Sequence, residues 1–290
     1  MSRRRVVLAL SVAVVLIAGV VGFAVWRVPR EPAASPVLTL LVNRAPQATV
    51  ARGTPLVFDA YLSATRTGHS IRIGSGSRPW HRLIRLEQTD AGKALSWDVT
   101  EIAARSTRYS RNAAGRPTIT PESAGVADLQ ALNHVHTLTL GVAPEAAALV
   151  PAGTYRVRAV VEAPFWPPWR WRGRVTSAAV TITVQESSAS PAGGLGDDLQ
   201  TRRLAESAAF YLRVKRFADA QRVASELLKL QPRSAHAYIL LGEALEGLGH
   251  DREALQAYGY ALPLLPKTYE EPRYLLDRIS TLMRKTGRMF

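Results

Sequence analysis

The chain has 290 residues, of which 47% are hydrophobic and 21% charged; that is room for about two domains with cores of their own, and it excludes disorder throughout. Cysteine is absent, which excludes disulfide staples, thiolate chemistry and zinc–thiolate sites. The net charge of +14 is spread along the chain, with no block of like charges beyond Arg3-Arg4-Arg5, so no basic stripe points to nucleic acid and no such partner is expected.

Val6 to Trp26 is an uncharged run of 21 residues. As a helix it would span about 31 Å, close to the roughly 30 Å of bilayer hydrocarbon. Trp26 falls where an interfacial ring belongs, and three arginines precede the run while two arginines and a glutamate follow it, which favours an inside N-terminus. Residues 1–30 therefore predict a transmembrane anchor, with residues 6–26 in contact with membrane and everything later exported. The rival is a cleaved leader with a cut after Ala24, whose apolar core is usually about 7–15 residues, shorter than this run.

From 37 to 186 the period is two. Leu56, Phe58 and Ala60 share a face, as do His134, Leu138, Leu140 and Val142. Tyr155, Val157, Ala159 and Val161 alternate with Arg156 and Arg158, and Val180, Ile182 and Val184 with Thr181 and Thr183. Short alternating strands broken by Gly, Pro and Asn predict a pair of antiparallel sheets. The polar stretches SATRTGHSIRIGSGSRP and RSTRYSRNAAGRP read as loops or ragged edge strands. His134 and His136 point to one face but share it with Leu138 and Leu140 and have no third ligand by spacing, so packed histidines are expected and no metal.

LVPAGTYRVRAVVE, then a loop and RVTSAAVTITV, resembles the last two strands of bacterial immunoglobulin-like domains. The resemblance implies a sandwich with Tyr155 at a corner, and no particular ligand. The loop, APFWPPWRWRGR over 163–174, is kept from regular structure by Pro164, Pro167 and Pro168. Trp166, Trp169 and Trp171 fold back as a cap on the open end of the sandwich, or else join Arg170 and Arg172 in a contact surface for lipid, glycan or protein; the cap is the reading preferred.

ESSASPAGGLG, residues 186–196, has the composition of a flexible linker, and the linker is set at 187–197. Asp197-Asp198 is placed to cap a helix, and from 198 to 290 the period is helical. Two stretches align at a spacing of 34: Ala220 with Ala254, Leu228 with Leu262, Leu230 with Leu264 and Pro232 with Pro266. This pattern resembles tetratricopeptide repeats, best in AYILLGEALEGLGHDREALQAYGYALPLLP, and a further helix from Tyr269 to about Lys285 would cover the exposed edge. The resemblance implies a concave groove offering Arg202, Ala209, Arg213, His236, Ile239 and Glu243. Such a groove takes a partner segment, or packs on the chain's own sandwich or a second copy.

No phosphate loop, His-Glu-x-x-His, Gly-x-Ser-x-Gly or convincing carboxylate pair is present, so no enzyme activity and no cofactor are expected. The expected fold class is multidomain: transmembrane helix, all-β immunoglobulin-like sandwich, all-α tetratricopeptide hairpins. The expected function is protein–protein scaffolding by a single-pass protein of the bacterial inner membrane, its C-terminal domains in the periplasm or exterior and its partners other envelope proteins. Removal of the leader would make it an exported soluble protein. The alternative is a lipid- or glycan-binding module that uses the loop over 163–174.

Overall fold

The computed structural model describes residues 36–64, 72–74, 79–89, 98–111, 116–122, 127–128, 134–163, 173–186, 195–265 and 271–287. The first half is strands: β1 (Pro36–Val42), β2 (Gln47–Ala51), β3 (Leu56–Ala64), β4 (Arg72–Ile73), β5 (Ile84–Gln88), β6 (Val99–Arg111), β7 (Pro117–Glu122), β8 (Ala127–Asp128), β9 (His134–Val142), β10 (Gly153–Ala163), β11 (Gly173–Thr176) and β12 (Val180–Gln185). One sheet has the order β1-β3-β9-β6-β7; the other has β11-β10-β12-β2, with β5 also on β10, and β4 pairs with β8 apart from both. Every pairing is antiparallel except that of β12 with β2.

The alternation places the core. Leu56, Phe58, Ala60 and Leu62 of β3 and Leu138 of β9 point inward to meet Val157, Ala159 and Val161 of β10 and Ile182 of β12. All are essentially inaccessible to water, and burial of each larger side chain contributes about 1.5–3 kcal/mol. Trp80, in the single helical turn Trp80–Leu83, joins the same core. The Tyr155 hydroxyl donates to the Pro151 carbonyl at 2.8 Å, pinning the entry to β10.

One expectation is corrected here. Arg105–Arg111, read as part of a loop or ragged edge, lies in the 13-residue strand β6, which is interior to its sheet between β9 and β7. Its inward side chain Ser106 is 2% exposed and pairs with Nδ1 of buried His136 at 2.8 Å. A polar pair facing the core hides the strand from any reading based on hydrophobic alternation.

The second half is helical: α1 (Leu195–Arg213), α2 (Phe217–Leu230), α3 (Ala235–Gly247), α4 (Asp251–Ala261) and α5 (Glu271–Thr286). α1 starts at Leu195, so Asp197 and Asp198, expected just ahead of a helix, lie within its first turn. α3 is capped by Ser234, whose hydroxyl oxygen accepts from the Ala237 N–H at 3.3 Å. Small residues lie at the helix crossings, with Ala220, Ala254 and Ala261 fully buried. At Gly242 a Cβ would come 2.4 Å from the ring of Tyr258, so α3 and α4 meet this closely only through glycine.

No helix among the described residues is long and apolar enough to cross a membrane. The longest, α1, has 19 residues but includes Asp197, Asp198, Arg202, Arg203, Glu206 and Arg213, far too polar for hydrocarbon. The run 6–26 to which the span was assigned lies outside the described residues. Among the described residues the fold class is therefore corrected to β-sheets followed by helices, none of which is long and apolar enough to cross a membrane. The single-pass inner-membrane location, which rested on a transmembrane helix, is corrected with it.

The two halves are packed together. Phe210 of α1 sits against Gly141 of β9 and the outward side chain of Ile102 in β6, and Val57 of β3 packs on the same helical cluster. Ile102 falls where the pairing of β6 with β9 slips between Glu101 and Ala103, so a bulge supplies the apolar contact. Beside it, the Tyr211 hydroxyl and the Arg216 guanidinium both donate to Oε1 of Glu145, each at 3.0 Å.

Candidate functional site

A groove runs along the helical half and ends against the sandwich. Its first part is a cavity of about 300 Å³ between Arg44, Pro55 and Val57 on one side and Glu206, Arg213 and His236 on the other. The second, about 320 Å³, continues past Arg213, His236, Ile239 and Glu243 to Tyr274 of α5. Ala209, Arg213 and His236 line both. The two cavities form one continuous depression, with walls from α1, α3 and α5 and an end wall from the sheets.

Helical periodicity puts these side chains in line. Ala209 and Arg213 are one turn apart on α1, and His236, Ile239 and Glu243 are three and four apart on α3, so each set shares a face. Arg213 and His236 are exposed, while Ile239 and Glu243 are half-buried. The Tyr274 hydroxyl donates to Oε1 of Glu243 at 3.1 Å and closes the far end. Burial first, then the Glu243 charge, push the Tyr274 phenol above its usual range, so it remains a donor.

The sandwich end of the groove is the turn between β1 and β2. Val42 and Ala45 exchange two backbone bonds, 2.8 and 3.0 Å long, around Asn43 and Arg44. Both central residues have positive φ, 48° and 67°, the geometry of a type I′ turn. Asn43 suits it: its Oδ1 accepts from the Val57 N–H at 2.8 Å, and its Nδ2 reaches Oε2 of Glu206 at 3.5 Å. Oε1 of Glu206 is held by Arg202 at 2.8 Å.

The structure thus brings Arg213, His236, Ile239 and Glu243 together. It places Arg202 outside the groove lining, as the clamp on Glu206. Trp166, Trp169, Arg170, Trp171 and Arg172 lie outside the described residues. At the end of that stretch, Arg174 donates to Glu87 at 2.8 Å, and Arg158 reaches the same carboxylate at 3.0 Å. Burial works to raise the Glu87 pKa, but hydrogen bonds from Arg158 and Arg85 and the charge of Arg174 hold it below the ordinary value.

Sequence reasoning missed Arg44, Val57 and Tyr274. The signal for Arg44 was available: LLVNRAPQ sets an Asn-Arg pair between two alternating runs, and asparagine favours a turn with positive φ. Nothing in the spacing shows that this turn abuts a helix more than 160 residues later.

No family model matches the chain, and no curated protein matches it. Among solved structures, the chain is similar to the first TPR domain of human RPAP3, with 25% identity and a TM-score of 0.26 over 31% of this chain and 72% of that one. It is similar to a mutant of MamA at 23% identity and a TM-score of 0.26, over 32% and 72%. A DUF4466 family protein from Parabacteroides merdae has 12% identity and a TM-score of 0.23, over 52% and 46%. Likenesses at these scores carry no argument about function. The helices themselves, paired through small residues at their crossings, form a tetratricopeptide-like all-α region.

Proposed function

We propose that this protein is a non-catalytic interaction module that holds an extended segment of a partner protein in the groove of its helical half. The observation that carries the reading is the alignment of Arg213, His236, Ile239 and Glu243 along one continuous depression that the sandwich leaves open. These four side chains are not the ones that join the halves, a contact made by Phe210, Tyr211, Val57 and the Asn43–Glu206 pair. The groove offers an apolar strip with polar side chains at intervals, the composition of surfaces that bind peptides.

The test is site-specific photocrosslinking of the full chain in cells. A photoreactive residue in place of His236 is expected to yield a polypeptide adduct that Arg213→Glu abolishes. The same residue in place of Tyr260, 63% exposed on α4, is expected to yield none of that adduct. Equal labelling from both positions, or none from 236, would overturn the reading.

A further inference from the structure

We infer that the groove is a composite site for an acidic extended peptide, and that Arg44 of the sandwich supplies one of its two selecting cations. The inference rests on the proposed groove function and adds the ligand's chemistry and the sandwich's share in reading it.

Charge complementarity carries the argument. Four charged side chains line the groove beside His236: Arg44, Glu206, Arg213 and Glu243. Both carboxylates are already engaged, Glu206 by Arg202 and Asn43, Glu243 by Tyr274. Neither arginine forms an ion pair with a carboxylate among the described residues. The charged side chains that no carboxylate or hydroxyl among the described residues yet holds are two cations, one from each half of the protein, with the apolar surface of Val57 and Ile239 alongside. The chain's net charge of +14 adds a long-range pull on an acidic partner.

The backbone at Arg44 supports a selected side chain there. The second centre of a type I′ turn is ordinarily glycine, because φ near +67° crowds any Cβ. An arginine in that conformation is strained, and strain of this kind is retained where the side chain has work to do. Glu206 and Glu243 also decide the class of ligand. They interrupt the unbroken row of cations that a phosphate backbone needs, whereas a peptide can set its few acidic side chains at the two arginines and turn its amide N–H groups toward the lone pairs the carboxylates keep.

Fluorescence anisotropy on the full chain, with labelled 12-residue peptides that share a Leu/Val frame and differ only in carrying Asp/Glu, Gln/Asn or Lys/Arg, tests this. Acidic peptides are expected to bind best and to weaken with salt. Arg44→Gly and Arg213→Ala are each expected to weaken them about tenfold. Arg44→Gly also relieves the turn, so its melting temperature is expected to rise while binding falls, which a purely structural arginine would not produce. If Arg44→Gly binds acidic peptides as tightly as wild type while Arg213→Ala does not, the composite site is refuted and the groove reading survives. Peptides bound irrespective of charge, or displaced equally well by oligo-dT, refute the acidic-peptide assignment. Acidic binding untouched by Arg44→Gly, Arg213→Ala and Ile239→Arg alike refutes both readings.

Discussion

Gly141 of β9 and Phe210 of α1 form the seam between the sheets and the helices: a Cβ at Gly141 would come within 2.5 Å of the Phe210 ring and 2.7 Å of Ile102. Glycine leaves a flat notch on the outer face of the sheet, and Phe210, 3% exposed, fills it. Gly141→Ala is expected to cost about 1–3 kcal/mol by overpacking, and Phe210→Ala about 3–5 kcal/mol by leaving a cavity. Because the ring is what the new methyl would strike, the double variant should cost clearly less than the sum. Urea denaturation of the four proteins measures this; strictly additive losses would show that the two residues do not share a seam.

The cluster of Glu145, Tyr211 and Arg216 ties the same contact to pH. Burial first, then the hydrogen bond to Glu145, push the Tyr211 phenol up to about 12 from 10.0. The folded protein keeps a proton that the unfolded chain sheds, so this contribution is full below pH 10 and is lost as pH rises toward 12. For Glu145, burial pulls upward, but hydrogen bonds from its own backbone, Tyr211 and Arg216 leave it below its ordinary 4.5. Its contribution is full above that value and is lost as pH falls through the lowered one. Melting temperature against pH should therefore show a shallower alkaline decline in Tyr211→Phe and a shallower acid decline in Glu145→Gln.

Gly242 faces Tyr258 as Gly141 faces Phe210, with the ring 2.4 Å from where a Cβ would stand. Tyr258 is fully buried, and its hydroxyl donates to Oε2 of Glu246 at 3.1 Å. Gly242→Ala must therefore move a ring that cannot swing away, and a loss of about 1–3 kcal/mol is expected. Tyr258→Phe keeps the ring and gives up a hydrogen bond, for about 1 kcal/mol. Thermal melts followed by circular dichroism at 222 nm rank the two, and Gly242→Ala should be the worse.

Inside the sandwich, Ser106→Ala removes the hydroxyl that Nδ1 of His136 uses at 2.8 Å. The expected cost is about 1–3 kcal/mol, the penalty for weakening the hydrogen bonding of a buried polar group. Adding His136→Leu, which replaces the ring by an apolar side chain, should recover part of it. If the single change proves neutral in chemical denaturation, the pair does not hold β6 to β9.

Much of the architecture was legible because it is local. Leu56, Phe58 and Ala60, or Val180, Ile182 and Val184, declare a strand by alternation alone. Ala220 and Ala254, 34 residues apart and both fully buried, declare repeated hairpins by spacing. β6 was not legible, since its inward Ser106 is polar and is explained only by His136, thirty residues on. The tetratricopeptide resemblance implied Arg213, His236, Ile239 and Glu243 for a groove, and these four side chains line the two cavities. Arg202, expected with them, is not among the residues that line the two cavities and instead holds Glu206 at 2.8 Å, a role that helical periodicity does not distinguish from a groove position.

By itself, then, the sequence determined where the period changes from two to 3.6 and which residues share a face, because those patterns follow from backbone geometry among near neighbours. Only the tertiary structure decided that α1 rests in the notch at Gly141, and that the turn at Arg44 closes the end of the groove. Those contacts join residues far apart in the chain, and they depend on shape and charge meeting in space, which no spacing records.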